Sequence, residues 1–256
     1  GVRAAFGGGG ATDGIFRNSH YFVLIYYSQV LGLDAGLAGL AMGISLIFDA
    51  ITDPLVGYLS DNTRSRWGRR HPWLFGSIIP LAASFYFLWY PPAFLESDAW
   101  LFTWLLVCNI TMRTGITMFL VPAYAILAEV TADYDERTRL LTSFHMVQSV
   151  VMNGMSVLMY GFWLVPTDEI SDGIMNIGGY QQSGLFGTIM IIVACLIFSI
   201  GLRRFIPQLK QYKVNNSPSL SQFFRQVSDV FKDASARIVL GSGAAYFAGL
   251  GAYIAL

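Results

Sequence analysis

Six runs of about twenty or more mostly apolar residues succeed one another along this chain, joined by short polar loops. They cover roughly 4–31, 35–60, 72–92, 99–127, 139–165 and 183–205, and a seventh begins near 237. A helix of about twenty residues spans the ~30 Å hydrocarbon core of a bilayer. Inside lipid every backbone N–H and C=O must be paired within the protein, which leaves helices as the solution for runs of this length. The fold class that follows is an all-α, multi-pass membrane protein with a lipid bilayer as its medium. Composition agrees: 54% of residues are hydrophobic and only 12% are charged, against about 25% in soluble domains. Sixteen acidic and sixteen basic residues cancel, so no bulk basic character points to nucleic acid. Cys108 and Cys195 sit inside apolar runs and read as small buried hydrophobes, without disulfide or zinc spacing.

The loops alternate in charge. Arg64, Arg66, Arg69 and Arg70 follow the second run, and Arg203, Arg204, Lys210 and Lys213 follow the sixth. Glu96 and Asp98, then Asp168, Glu169 and Asp172, mark the intervening loops. Basic loops stay in the cytoplasm, so the N-terminus is expected to be cytoplasmic and the protein to lie in the cell inner (cytoplasmic) membrane. Between 206 and 236, Leu220, Phe223, Phe224, Val227 and Phe231 recur at helical spacing among polar residues, which predicts an amphipathic helix on the cytoplasmic surface. The expected organisation is a six-helix bundle over 1–205, this linker over 206–236, and a truncated seventh span over 237–256. A long basic connection after six spans fits a protein of two six-helix halves, so the chain reads as a fragment whose second half lies beyond it.

Ionisable residues at membrane depth are costly and face a bundle interior or a water-filled cavity. The first run carries Asp13, Arg17 and His20 on one face; the second carries Asp49 and Asp53 with Thr52; the fourth carries Arg113, Thr117 and Tyr124; the fifth carries His145 and Gln148. Four helices with one polar stripe each predict a shared cavity. Asp49 and Asp53, four residues apart, repel unless a cation or proton sits with them. Arg17 can neutralise Asp13 within its helix or line the cavity, and Arg113 can serve assembly by pairing with a carboxylate from another helix. His20 and His145 can be packing residues or ligands. The run Gly7–Gly10 predicts close helix packing rather than a phosphate loop.

Two blocks, Asp49-Ala50-Ile51-Thr52-Asp53-Pro54 and Thr63-Arg64-Ser65-Arg66-Trp67-Gly68-Arg69, together with Gly57, Asp61, Val121-Pro122 and Asp135-Glu136-Arg137-Thr138-Arg139-Leu140, carry a family likeness. The chain resembles the glycoside–pentoside–hexuronide:cation symporters of the major facilitator superfamily over about its first 214 residues. The resemblance implies a cation site of Asp49 and Asp53 with Thr52 and Thr117, binding sodium if not a proton. It implies a solute site with Asp13 as hydroxyl acceptor and Tyr124 as stacking face, alongside Arg17, His20, Arg113 and His145. Where family sugar carriers have a second aspartate on the fourth helix, this chain has Leu120. The resemblance also implies a conformational gate of Asp61 with Arg64, Arg66 and Arg69.

The function expected from these residues is cation-coupled symport of a small polar solute, a sugar or glycoside, by alternating access, with no cofactor beyond Na+ or H+ and with a monomeric protein once a second half is present. A sodium-coupled lipid or lysolipid carrier of the same fold is the alternative. A membrane-embedded enzyme is the remote one, since no His-Glu-x-x-His, Gly-x-Ser-x-Gly or paired-cysteine zinc motif occurs.

Overall fold

A computed structural model of the chain describes residues 2–206 except 95–96, 132 and 169, together with the single positions 225, 232, 238 and 242. The predicted surface helix and seventh span lie outside the described residues. Gly1–Tyr212 forms one compact unit and Lys213–Leu256 a second.

The first unit is all-helical among the described residues. Seven helices, α1 Val2–Ile25, α2 Ala35–Asn62, α3 His71–Gly76, α4 Ile78–Trp89, α5 Asp98–Val130, α6 Tyr134–Leu158 and α7 Ile177–Gly201, make up the six expected runs. The third run is α3 and α4, interrupted at Ser77. Pro80 lacks the N–H that would bond the Gly76 carbonyl, which accounts for the break. One π-helical turn extends α1 over Tyr26–Val30 and another extends α6 over Met159–Trp163. Ala35–Asn62, His71–Trp89, Asp98–Leu127 and Ile177–Gly201 are long and apolar enough to cross a membrane. α1 and α6 match them in length, but they carry charged and amide groups, Asp13 and Arg17 on one and His145 and Gln148 on the other.

Side-chain caps set where the helices start. Asp34 Oδ1 accepts from Leu37 N at 3.1 Å, Asp133 Oδ1 from Asp135 N and Glu136 N at 2.8 and 3.1 Å, and Asn176 Oδ1 from Gly179 N at 3.2 Å. The last two move helix starts ahead of the apolar runs: α6 opens at Tyr134 rather than 139, and α7 at Ile177 rather than 183. Gly68, at φ +81, lets the loop after α2 turn back.

α1 packs along α6 and α7, α2 along α5, and α4 against α5 and α7. The glycine run permits the first contact. A Cβ on Gly10 would sit 2.1 Å from the Phe144 carbonyl oxygen, and one on Gly14 would sit 2.6 Å from that of Gln148. On the opposite side of α1, a Cβ on Gly8 would meet the Ala194 carbonyl oxygen of α7 at 2.8 Å. The close approach is van der Waals packing between backbones, as in membrane helix pairs built on small residues. It puts the polar face of α6 directly against that of α1. The core beneath is aromatic, with Tyr26, Trp89 and Tyr180 in one cluster: ring centroids are 4.8 Å apart for Tyr26–Tyr180 and 6.0 Å for the stacked Trp89–Tyr180 pair.

Candidate functional site

The polar stripes meet as two neighbouring networks. In the first, on α1 and α6, Arg17 Nε donates to both Asp13 oxygens at 3.1 and 3.0 Å. Gln148 Nε2 also donates to Asp13 Oδ2. The His145 Nδ1–H donates to Gln148 Oε1 at 2.9 Å. Asp13 is fully buried, while the Arg17 side chain is 56% exposed. In this conformation both Asp13 oxygens are occupied by protein donors, so a solute hydroxyl reaches this carboxylate only when one of them moves away. Tyr124 is exposed, with its ring 5.3 Å from that of Phe144.

In the second network, α2, α5 and α1 converge. Arg113 Nη1 donates to Asp49 Oδ2 at 2.5 Å and Arg113 Nη2 to His20 Nε2 at 2.9 Å. A guanidinium cannot accept, so His20 Nε2 is the acceptor; its Nδ1–H then donates to the Phe16 carbonyl, at 2.9 Å. The Arg113 guanidinium also lies 6.0 Å from the centre of the Phe16 ring. One turn further along α5, the Thr117 hydroxyl donates to Asp53 Oδ1 at 2.7 Å. Thr52 is buried, and its hydroxyl turns to the Asp49 carbonyl at 3.4 Å.

The donor set suits a hard cation. Asp49 Oδ1 is buried with no hydrogen-bond partner. Pro54 removes the donor that would pair the Ala50 carbonyl, and Pro122 does the same for Met118. Two carboxylates and a hydroxyl are oxygen ligands of the kind alkali cations take. Among the described residues no group of three or more His, Cys, Asp or Glu side chains could hold a metal ion.

A third cluster lies in and beside the basic loop. Arg69 and Arg70 both pair with Glu129 at the end of α5, Arg70 at 2.8 Å, and Arg70 also reaches Asp61 at 2.9 Å. Of the residues expected in a gate, Asp61 and Arg69 join this cluster, while Arg64 and Arg66 are exposed, with Arg66 5.6 Å from the centre of the Trp67 ring. The turn at Gly68, closed by Gly68 N to Ser65 O at 3.1 Å, aims Arg69 and Arg70 inward instead. Burial outweighs the pull of the two acids and leaves Arg70 below the usual arginine range.

Residues 6–256 match the family described as MFS/sugar transport protein. The chain belongs to that family. The expected likeness to major facilitator glycoside–pentoside–hexuronide:cation symporters holds, as the relatives of this MFS/sugar transport chain indicate. An uncharacterized symporter of Synechocystis is 37% identical over 164 residues, 62% of this chain and 30% of the relative. A putative glycoside/cation symporter of Escherichia coli is 33% identical over 136 residues, 53% of this chain and 29% of the relative. The sodium-dependent lysophosphatidylcholine symporter 1 of Gallus gallus is 29% identical over 132 residues, 51% of this chain and 24% of the relative. The chain thus aligns with about a third or less of the length of these curated relatives. All three carry transporter names, and with the apolar helices they make this MFS/sugar transport chain part of a multi-pass membrane protein.

Phe16, Arg70 and Glu129 are residues that the candidate sites hold and the sequence reading does not assign to them, and Gln148, expected on the polar stripe, proves to be a partner of Asp13. Gln148 is visible as the polar neighbour of His145 one turn on. Glu129 is visible only as an isolated acid ending an apolar run.

Proposed function

We propose that the chain is the six-helix half of a cation-coupled symporter that carries a sugar or glycoside across the cytoplasmic membrane, with its N-terminus in the cytoplasm. One observation carries this reading: four helices bring their polar stripes into two adjoining networks, one centred on Asp13 with Arg17 and Gln148, the other on Asp49 and Asp53 with Arg113 and Thr117. Asp13 and Tyr124 face the solute; Asp49, Asp53 and Thr117 take Na+ or H+. The coupling is reciprocal: cation binding at α2 raises solute affinity at α1, and solute raises cation affinity by the same factor. The Asp61–Arg70–Glu129–Arg69 cluster ties α2, the loop and α5 together in one conformation and must open in the other.

The test is uptake by the full-length protein in vesicles with imposed sodium or proton gradients. Asp49→Asn and Asp53→Asn should each abolish accumulation. Wild-type accumulation by both variants would sink the cation-site assignment.

A second reading has an observation of its own. Leu120, on the same helix as Arg113 and Thr117, packs against the apolar core, and relatives from chicken, zebrafish and mouse are named sodium-dependent lysophosphatidylcholine symporters. Sodium-driven uptake of lysophosphatidylcholine in place of glycosides would establish that reading.

A further inference from the structure

The carboxylate proposed to bind the coupling cation already holds a cation that belongs to the protein. Arg113 Nη1 sits 2.5 Å from Asp49 Oδ2. Its other attachments are on a different helix: Nη2 bonds His20 Nε2 at 2.9 Å, and the guanidinium lies 6.0 Å from the Phe16 ring centre. The side chain is 12% exposed and its Nε has no hydrogen-bond partner. Asp49, 19% exposed, likewise keeps Oδ1 unpartnered. The pair is thus buried but incompletely satisfied on both sides.

Such a pair is exchangeable. A buried ion pair with spare valences on each partner is poorly compensated for desolvation. A small cation arriving at Asp49 and Asp53 repels a guanidinium only a few ångströms away, an interaction that strongly favours the departure of one of the two. If Arg113 releases Asp49, it does not lose every partner, because His20 and Phe16 keep it on α1. α1 and α2 make little direct contact compared with the packing of α1 on α6 and α7. Arg113 is therefore a polar bridge between the helix that carries Asp49 and the helix that carries Asp13.

We propose that Arg113 is a resident counter-cation of the coupling site, displaced from Asp49 by the coupling ion, and that this exchange transmits loading of α2 to the solute-binding face of α1. The inference rests on the symport reading and gives Arg113, expected beside the solute, a role at the cation site. Arg113 holds cation affinity down in the empty transporter and changes the α1–α2 connection on loading.

Sodium binding to the purified full-length protein tests it, with Arg113→Gln and Arg113→Lys beside the wild type. Arg113→Gln should bind sodium about tenfold tighter or more, since the competitor is gone. Arg113→Lys keeps the charge and should stay within a few-fold of wild type. Modification of Arg113 by 2,3-butanedione, followed by peptide mass, should speed up when sodium is added to the wild type. A purely structural role for Arg113 predicts the opposite: sodium affinity in Arg113→Gln unchanged or lower, and a modification rate indifferent to sodium. Either result would overturn the exchange. Should Arg113→Gln fold too poorly to assay, the modification rate in the wild type decides alone. If neither wild type nor Arg113→Gln binds sodium, both the exchange and the sodium site fall; if both bind equally, the exchange alone does.

Discussion

Gly10→Ala is the sharpest probe of how the backbone positions the solute network. The new methyl would stand 2.1 Å from the Phe144 carbonyl oxygen, 3.0 Å from its carbon and 3.1 Å from Gln148 N. Ordinary carbon contacts begin at ~3.5 Å. All three atoms are backbone, so no side chain can swing away. α1 and α6 must part by roughly 1 Å, which costs about 1–3 kcal/mol as overpacking. The same displacement pulls Gln148 from Asp13, a hydrogen bond to a charged group worth about 1.5–3 kcal/mol. Alanine returns about 0.8–1 kcal/mol of helix propensity. The net expectation is a loss of roughly 1.5–5 kcal/mol, with weakened solute binding. Gly76→Ala is the control, because nothing lies within 4 Å of its would-be Cβ; it should be neutral or stabilising by up to about 1 kcal/mol. Thermal unfolding of both variants in one detergent checks this. A Gly10→Ala protein as stable as Gly76→Ala would refute the close-packing argument.

Further substitutions separate structure from function. Asp13→Asn weakens the bond from Gln148 to a buried carboxylate and should cost about 1–3 kcal/mol, while the half-exposed Arg17 turns to water, and it should bind solute roughly ten- to hundredfold more weakly; thermal stability and affinity measured on one sample check it. Glu129→Gln leaves two arginines, 12% and 8% exposed, without their shared carboxylate and should cost about 3–5 kcal/mol, whereas Arg64→Ala in the outer part of the loop should stay within about 0.5 kcal/mol, both read from unfolding midpoints.

The apolar runs made the helices legible in the sequence, because length and hydropathy alone decide what can cross a bilayer. The helix starts were less so: Asp133 and Asn176 extend α6 and α7 through residues too polar to join an apolar run. The break at Ser77 needed Pro80 to be weighed against its apolar neighbours. At the sites, periodicity gave the faces but not the partners. That Asp13, Arg17 and His20 share a side of α1 follows from spacing. Which of them meets Gln148 and which meets Arg113 depends on how α6 and α5 lie against α1, and no pattern within one helix encodes that. The same limit holds for the arginines of the loop, where the turn at Gly68, at positive φ, decides that Arg69 and Arg70 meet Glu129.

Mutual repulsion of Asp49 and Asp53 is the first reason to expect a cation between them. Arg113 weakens that reason, because it supplies Asp49 with a positive partner from the protein itself. Charge taken over both networks restores it. Asp13, Asp49 and Asp53 face Arg17 and Arg113, so with His145 as a neutral donor to Gln148 the carboxylates exceed the guanidiniums by one. His20 accepts from Arg113 through Nε2, which holds that ring neutral and leaves the excess in place. Asp53 is held by the neutral Thr117 hydroxyl, so the excess lies there. In the proposed symport a single monovalent cation beside Asp53 and the unpartnered Asp49 Oδ1 would close the balance, and a site one charge short at membrane depth is one that would both take up such an ion and release it.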